Sequence, residues 1–249
     1  MTLYQVYLEG NKSGCLAHIL SLPGCTAFGR NEKIALRNLE MAARKHHHWL
    51  KRHKSKQRIH QRLKFQVVQR LEGTTPWISS SAAALFLTDL IPPTKSEIRE
   101  YIKLLRWSRS DLLKLVSPLP DRILDYEIPK RWSIRRNLNH IANAEWWYLS
   151  RIAEWPEIMA IPEKVPKAKV ISRMERIRAA AYRILPSLSD SQYHQIYIPA
   201  KYCNKSLKEP WTVRKVLRRF VEHEREHYFN IQDLLKEIKK VTQLGLAIR

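Results

Sequence analysis

His223 and His227 stand four residues apart within Trp211–Ile231, read as WTVRKVLRRFVEHEREHYFNI. On an α-helix that spacing puts two imidazoles on one side, about one turn apart. Two imidazoles so related can grip one metal ion. Together with Glu224 they also spell H-E-x-x-H, the pattern in which two histidines bind zinc and the glutamate is a general base. A zinc protease needs a third ligand, usually downstream. After His227 the acids are Asp233 and Glu237, no histidine follows, and no protease sheet is evident. An HExxH metalloprotease is therefore only the lesser alternative.

The element that must carry the pair is a long helix. Pro210 precedes it, Thr212 is its N-cap, and Val213, Val216, Leu217, Phe220, Ile231, Leu234 and Leu235 form one apolar face. It is expected to reach about Val241. Three more helices precede it. Thr94 and Glu97 form a capping box for the first, which runs to about Ser117 before Pro118 and Pro120. Residues 121–131 read as a loop. Ser133 caps the second helix, expected to reach about Trp155. The third spans about 168–187, and a loop over 188–211 follows. Four amphipathic helices argue for a four-helix bundle.

Two of these helices begin alike. Trp132-Ser133-Ile134-Arg135-Arg136-Asn137-Leu138 matches Trp211-Thr212-Val213-Arg214-Lys215-Val216-Leu217 residue for residue in type, apart from Asn137 against Val216. The repeat sets Glu145 opposite Glu224 and implies that both helices enter the bundle in equivalent ways. The second helix offers His140 as a third ligand. Three neutral imidazoles would leave coordination positions open for water or substrate. His140 falls roughly 100° from the centre of its helix's apolar stripe, so the site belongs at a cleft between helices. Periodicity alone leaves His140 open as ligand or flank residue, and His223 and His227 open as packed or solvated residues. Glu224 and Glu145 fall near apolar faces, and a buried carboxylate needs partners. Glu224 either bonds neighbouring helix ends or an indole of Trp132 or Trp211, or orients a ligand histidine. Trp146-Trp147-Tyr148 cannot all face inward.

The pairing of W-S-I-R-x-x-L-x-H-I with W-T-V-R-x-V-L-x-x-x-x-x-H-E-x-x-H resembles the DinB-like superfamily over about residues 94–241. The resemblance implies a four-helix bundle holding a divalent metal, zinc or nickel, on His140, His223 and His227. It also implies a low-molecular-weight thiol as co-substrate in some members, which are thiol-dependent transferases or isomerases.

The N-terminal part has a different grammar. Residues 2–9 and 15–21 flank Gly10–Gly14 as a hairpin, and Leu22-Pro23-Gly24-Cys25 makes a turn. A short strand through 26–28 leads to a helix capped by Asn31, and 64–71 read as a last strand. This β-β-β-α-β order, with Leu22-Pro23-Gly24-Cys25-Thr26-Ala27-Phe28-Gly29 entering the helix, resembles the HicB-like family over residues 1–72. That family's fold implies partner binding. Nuclease chemistry of the ribonuclease H type needs several carboxylates around divalent cations. Only Glu9, Glu32, Glu40 and Glu72 precede Asp89, the first aspartate, so the domain is expected to be non-catalytic. Residues 73–93 are a connecting segment packed by Trp77, Leu85, Phe86 and Leu87.

The net charge of +22 favours polyanionic partners. Met41–Leu71 holds ten Lys/Arg, five His and no acid. Its basic part, Arg44–Lys64, is either a surface for nucleic acid or an acidic protein, or a solvated helix end. His46-His47-His48 point about 100° apart in turn and cannot converge on one ion. Cys15, Cys25 and Cys203 form no CxxC and read as reduced thiols of a cytoplasmic protein. No signal peptide or membrane span is expected, and a homo-oligomer is compatible with the chain.

The expected fold class is α+β: a HicB-like β-β-β-α-β domain (1–72), a connecting segment (73–93) and a DinB-like four-helix bundle (94–249). The expected function is divalent-metal binding, with thiol-dependent transferase or isomerase chemistry. The alternative is a partner- or nucleic-acid-binding module on a structural bundle.

Overall fold

A computed structural model describes residues 2–55, 63–72, 84–162, 164–198 and 209–246. The elements run β1 (Thr2–Asn11), β2 (Gly14–His18), β3 (Thr26–Gly29), α1 (Glu32–Arg52), β4 (Leu63–Glu72), α2 (Lys95–Val116), α3 (Asp121–Leu124), α4 (Ile134–Ser150), α5 (Pro156–Met159), α6 (Val170–Ser187), α7 (Asp190–His194) and α8 (Val213–Leu246). A small sheet is followed by a helical bundle region, as expected. The chain divides into two compact units, Met1–Thr94 with Asp190–Glu222, and Lys95–Ser189 with His223–Arg249. Trp77, Cys203 and residues 56–62 of the basic region lie outside the described residues.

In the first unit the strands lie in the order β3-β2-β1-β4. β1 and β2 form the expected hairpin, closing at Asn11 opposite Gly14. The predicted turn forms at Leu22–Cys25, where Cys25 N–H donates to the Leu22 carbonyl at 2.9 Å. Gly24 sits there at φ 87°, the left-handed position a type II turn reserves for glycine after proline. α1 begins where Asn31 accepts from Ile34 N–H at 3.0 Å, and buries Ala35, Leu39, Ala43 and Leu50. It supplies the crossover that lets β4 pair parallel with β1.

A ring of buried polar groups closes the other side of this sheet. His18 shares one ring nitrogen with Glu9 and the other with Glu222, each at 2.9 Å. Arg218 donates to Glu222 at 2.9 Å, to the Ala84 carbonyl at 2.8 Å and to both oxygens of Asp89. Ala84 N–H returns to Glu9 at 2.8 Å, completing the circuit. Phe86 packs against both Tyr7 and His18 within it.

In the second unit α2, α4, α6 and the part of α8 from His223 onward turn apolar stripes inward. Leu105 and Leu112, Leu138 and Ile141, Met174 and Ile177, and Ile231 and Leu234 are all buried. α4 ends at Ser150, five residues short of the expected Trp155. Trp155 is held in extended backbone (φ −92°, ψ 116°) as the residue before Pro156, so it cannot belong to the helix, and α5 starts at Pro156. The expected loop over 121–131 contains the single turn α3, whose Asp121 is bound by Arg135. The described parts of 188–211 likewise contain α7 and a bridge between Tyr197 and Trp211. No helix among the described residues is long and apolar enough to cross a membrane.

Candidate metal centre

α4 and α8 deliver the three histidines. The Ser133 hydroxyl caps α4 by accepting from Arg136 N–H at 3.3 Å. His140 follows nearly two turns in. The second unit receives His223 and His227 from α8, one turn apart. His140 Nε2 and His223 Nε2 lie 3.1 Å apart. The ring centroids of His140 and His227 are 5.0 Å apart, and those of His223 and His227 4.6 Å. One ligand atom from each of the three falls within 4.8 Å of the others, and among the described residues this is the group placed to hold a metal. Three imidazole nitrogens around one tetrahedral zinc stand about 3.3 Å apart, so the cluster is close to the spacing an ion requires.

The electrostatics suit ligation. Burial, reinforced by neighbouring His140, pulls His227 down to about 3. Burial, reinforced by Arg136, also lowers His140. Both rings are therefore neutral at physiological pH, the form a metal needs. His223 and His227 are buried, whereas His140 is half-buried. Trp132 stacks on His227 (6.4 Å, 13° between planes) and meets His140 edge-on at 5.0 Å. Trp132 is 39% exposed and His140 is half-buried, so the cluster is nearest to solvent on the His140 side. The expected flank position of His140 accounts for this. The repeated tryptophan therefore does more than anchor a helix, a role the sequence reading did not assign to it. Of the aromatic run, only Tyr148 is buried, and its ring lies edge-on to His223 at 5.9 Å. Trp146 instead donates to the Ile158 carbonyl at 2.9 Å.

Glu224 sits elsewhere. It is fully buried, and one of its carboxylate oxygens accepts from Arg109 at 2.8 and 3.1 Å and also from Arg178. Glu145, its equivalent in the repeat, accepts from the same two arginines, from Arg109 at 2.7 Å. Two carboxylates from α4 and α8 thus meet two guanidiniums from α2 and α6. Burial alone would raise Glu224, but Arg109 and Arg178 outweigh it and hold the carboxyl at about 2. Burial pushes Glu145 up, and the charge of Glu224 adds to the shift. A carboxylate so engaged is a poor general base, which removes the catalytic limb of the H-E-x-x-H reading. The expected partners, helix ends and indoles, were the wrong ones. Arg109 falls in the stripe of Leu105, Leu112 and Val116, and Arg178 beside Met174, Ile177 and Ala181. A cation on an apolar stripe was the signal that could have identified both.

The three histidines of the first unit's helix do not gather: His46 and His47 are buried and His48 is exposed.

The DinB superfamily profile matches residues 104–229, just over half of the chain, including all three clustered histidines. A solved structure with which the chain shares 17% identity is described as YfiT from Bacillus subtilis, a probable metal-dependent hydrolase with an unusual four-helix bundle topology. The similarity covers 59% of this chain and 90% of that one, with a TM-score of 0.45. No curated protein matches. The chain belongs to the DinB superfamily.

Proposed function

We propose that His140, His223 and His227 bind one divalent metal, zinc or nickel, and that the chain uses it in DinB-type transfer, isomerisation or hydrolysis. The observation that carries this reading is the approach of three imidazoles to within 4.8 Å in a cluster nearest to solvent on the His140 side. Imidazole donors suit zinc and nickel over magnesium or calcium. The ion would supply Lewis-acid activation of a thiol or water. The protein's own residues do the rest. Trp132 walls the His140 side, and Arg136, 4.7 Å over its ring, places a cation at the rim. Such a rim favours a substrate with an anionic group. Elemental analysis of untagged protein should give one equivalent of metal per chain, and His223→Ala should abolish stoichiometric binding. Wild-type protein without metal after exposure to both ions would overturn the reading.

A second reading concerns the first unit, proposed as a HicB-like, non-catalytic binding module. Lys33, Arg37, Arg44, His48 and Lys51 are all exposed on α1. They recur within about 60° of one line along about 27 Å of helix. The one acid in that stripe, Glu40, is paired with Arg44. Such a row of cations fits nucleic acid phosphates. Binding to a short duplex should weaken steeply with salt, by about 0.9 log units per log unit of salt for each phosphate neutralised. Arg37→Glu with Lys51→Glu should flatten that slope. A slope unchanged by the reversals, or no binding at low salt, contradicts this role.

A further inference from the structure

We infer that Asn137 is a positioning residue that fixes the tautomer of His227 and so selects Nε2 as its ligand atom. This rests on the metal-binding reading for its purpose, though the hydrogen bonding stands independently. Asn137 is buried on α4, three residues before His140. Its Oδ1 lies 2.7 Å from His227 Nδ1. Its Nδ2 donates to the Ser133 carbonyl at 2.9 Å and to the Trp132 carbonyl at 3.4 Å.

The direction of each bond follows from what the partners can do. The two carbonyls only accept, so the amide must turn its NH2 toward them. Its oxygen then faces His227. An amide oxygen only accepts, so His227 must carry its proton on Nδ1. A neutral ring with its proton on Nδ1 presents a bare lone pair at Nε2. The amide that bonds two backbone carbonyls thereby also prepares a ligand. Trp132, whose carbonyl helps to orient the amide, also stacks on the imidazole and restrains its plane. The N-terminal turn of α4 thus holds His227 in both proton position and ring orientation. Outer hydrogen bonds of this kind are worth about 10–100-fold in metal affinity.

The test uses the full chain in two states. In metal-free wild type, long-range 15N–1H correlation of the histidine rings should show His227 protonated on Nδ1. Zinc affinity, read by competition with a chromophoric chelator, should fall about 10–100-fold in Asn137→Leu with one site per chain retained. Asn137→Asp, which keeps the acceptor, should stay within a few-fold of wild type. His227 protonated on Nε2 in the metal-free protein overturns the inference. So does Asn137→Leu with wild-type affinity, or Asn137→Asp as weak as Asn137→Leu. Should Asn137→Leu fail to fold, the wild-type spectrum and Asn137→Asp still decide. Because the spectrum needs no metal, failure of the metal-binding reading is seen separately, as wild-type protein that shows the Nδ1 proton and binds no zinc.

Discussion

Glu224→Gln is expected to destabilise the second unit by about 3–5 kcal/mol, the usual cost of removing one partner from a buried ion pair. The metal should stay. The variant keeps the shape of the side chain and removes its charge. Arg109 and Arg178 would then share the single carboxylate Glu145 inside the bundle. Two buried cations against one anion leave a charge that water cannot reach. Chemical denaturation gives the free energy, and chelator competition gives the metal affinity. A loss under about 1 kcal/mol, or a large fall in zinc affinity, would show that Glu224 serves the metal instead. Arg178→Met combined with Glu224→Met restores the charge balance. It should recover part of the loss, because buried ion pairs are commonly replaceable by apolar groups of similar size.

His18→Leu is expected to cost the first unit a similar amount, and to change how its stability depends on pH. Burial alone would lower the His18 pKa, but the carboxylates of Glu222 and Glu9 outweigh it and raise it above 6.5. A raised histidine contributes its full stabilisation below its unfolded value, and loses it as pH rises through the folded one. Glu222 works in the opposite direction. Burial opposes ionisation there too, yet Arg218 and His18 hold the carboxyl down to about 2 from an ordinary 4.5. Its stabilisation is present above 4.5 and is lost as pH falls toward 2. The ring is therefore at full strength between about pH 4.5 and 6.5 and weakens on either side. Thermal melting across pH should show wild type losing stability above 6.5, with that alkaline slope absent in His18→Leu. Parallel profiles would mean that His18 is neutral in the ring.

What could be read from the residues alone divides along a physical line. Local signals were clear. Asn31, Ser133 and Thr212 cap the helices assigned to them, because a side-chain oxygen one residue before a helix has a fixed target within three residues. The β1–β2 hairpin and the β-β-β-α-β element order followed from turn residues and alternation, whereas the parallel pairing of β4 with β1 had no local signal. The three histidines were found by helical spacing and resemblance together, and the structure brings all three into one cluster. Long-range polar pairing was not legible. Glu9 and Glu222 are 213 positions apart and meet only through His18, and nothing local distinguishes them from solvated acids. Arg109 and Arg178 were hidden for the same reason, although each interrupts an apolar stripe. The single turn α3 after Pro120 and the end of α4 at Ser150 are not encoded in the apolar periodicity, which marks faces and not ends.

α8 has a consequence for how the chain can be made. Its 34 residues, about 51 Å of helix, contribute Val213–Glu222 to the first unit and the remainder to the second. The first unit is therefore interrupted in sequence by Lys95–Ser189. A ribosome releases Glu9, His18 and Asp89 before it makes Lys95–Ser189. Arg218 and Glu222, which neutralise and join them, emerge only after most of the bundle has been synthesised. Domains generally complete their folding in order of synthesis. Here the first unit must wait for a segment that lies beyond the interposed Lys95–Ser189, and until then its polar ring stands open. For the same reason a fragment cut at Thr94 keeps the strands but not the residues that close their core.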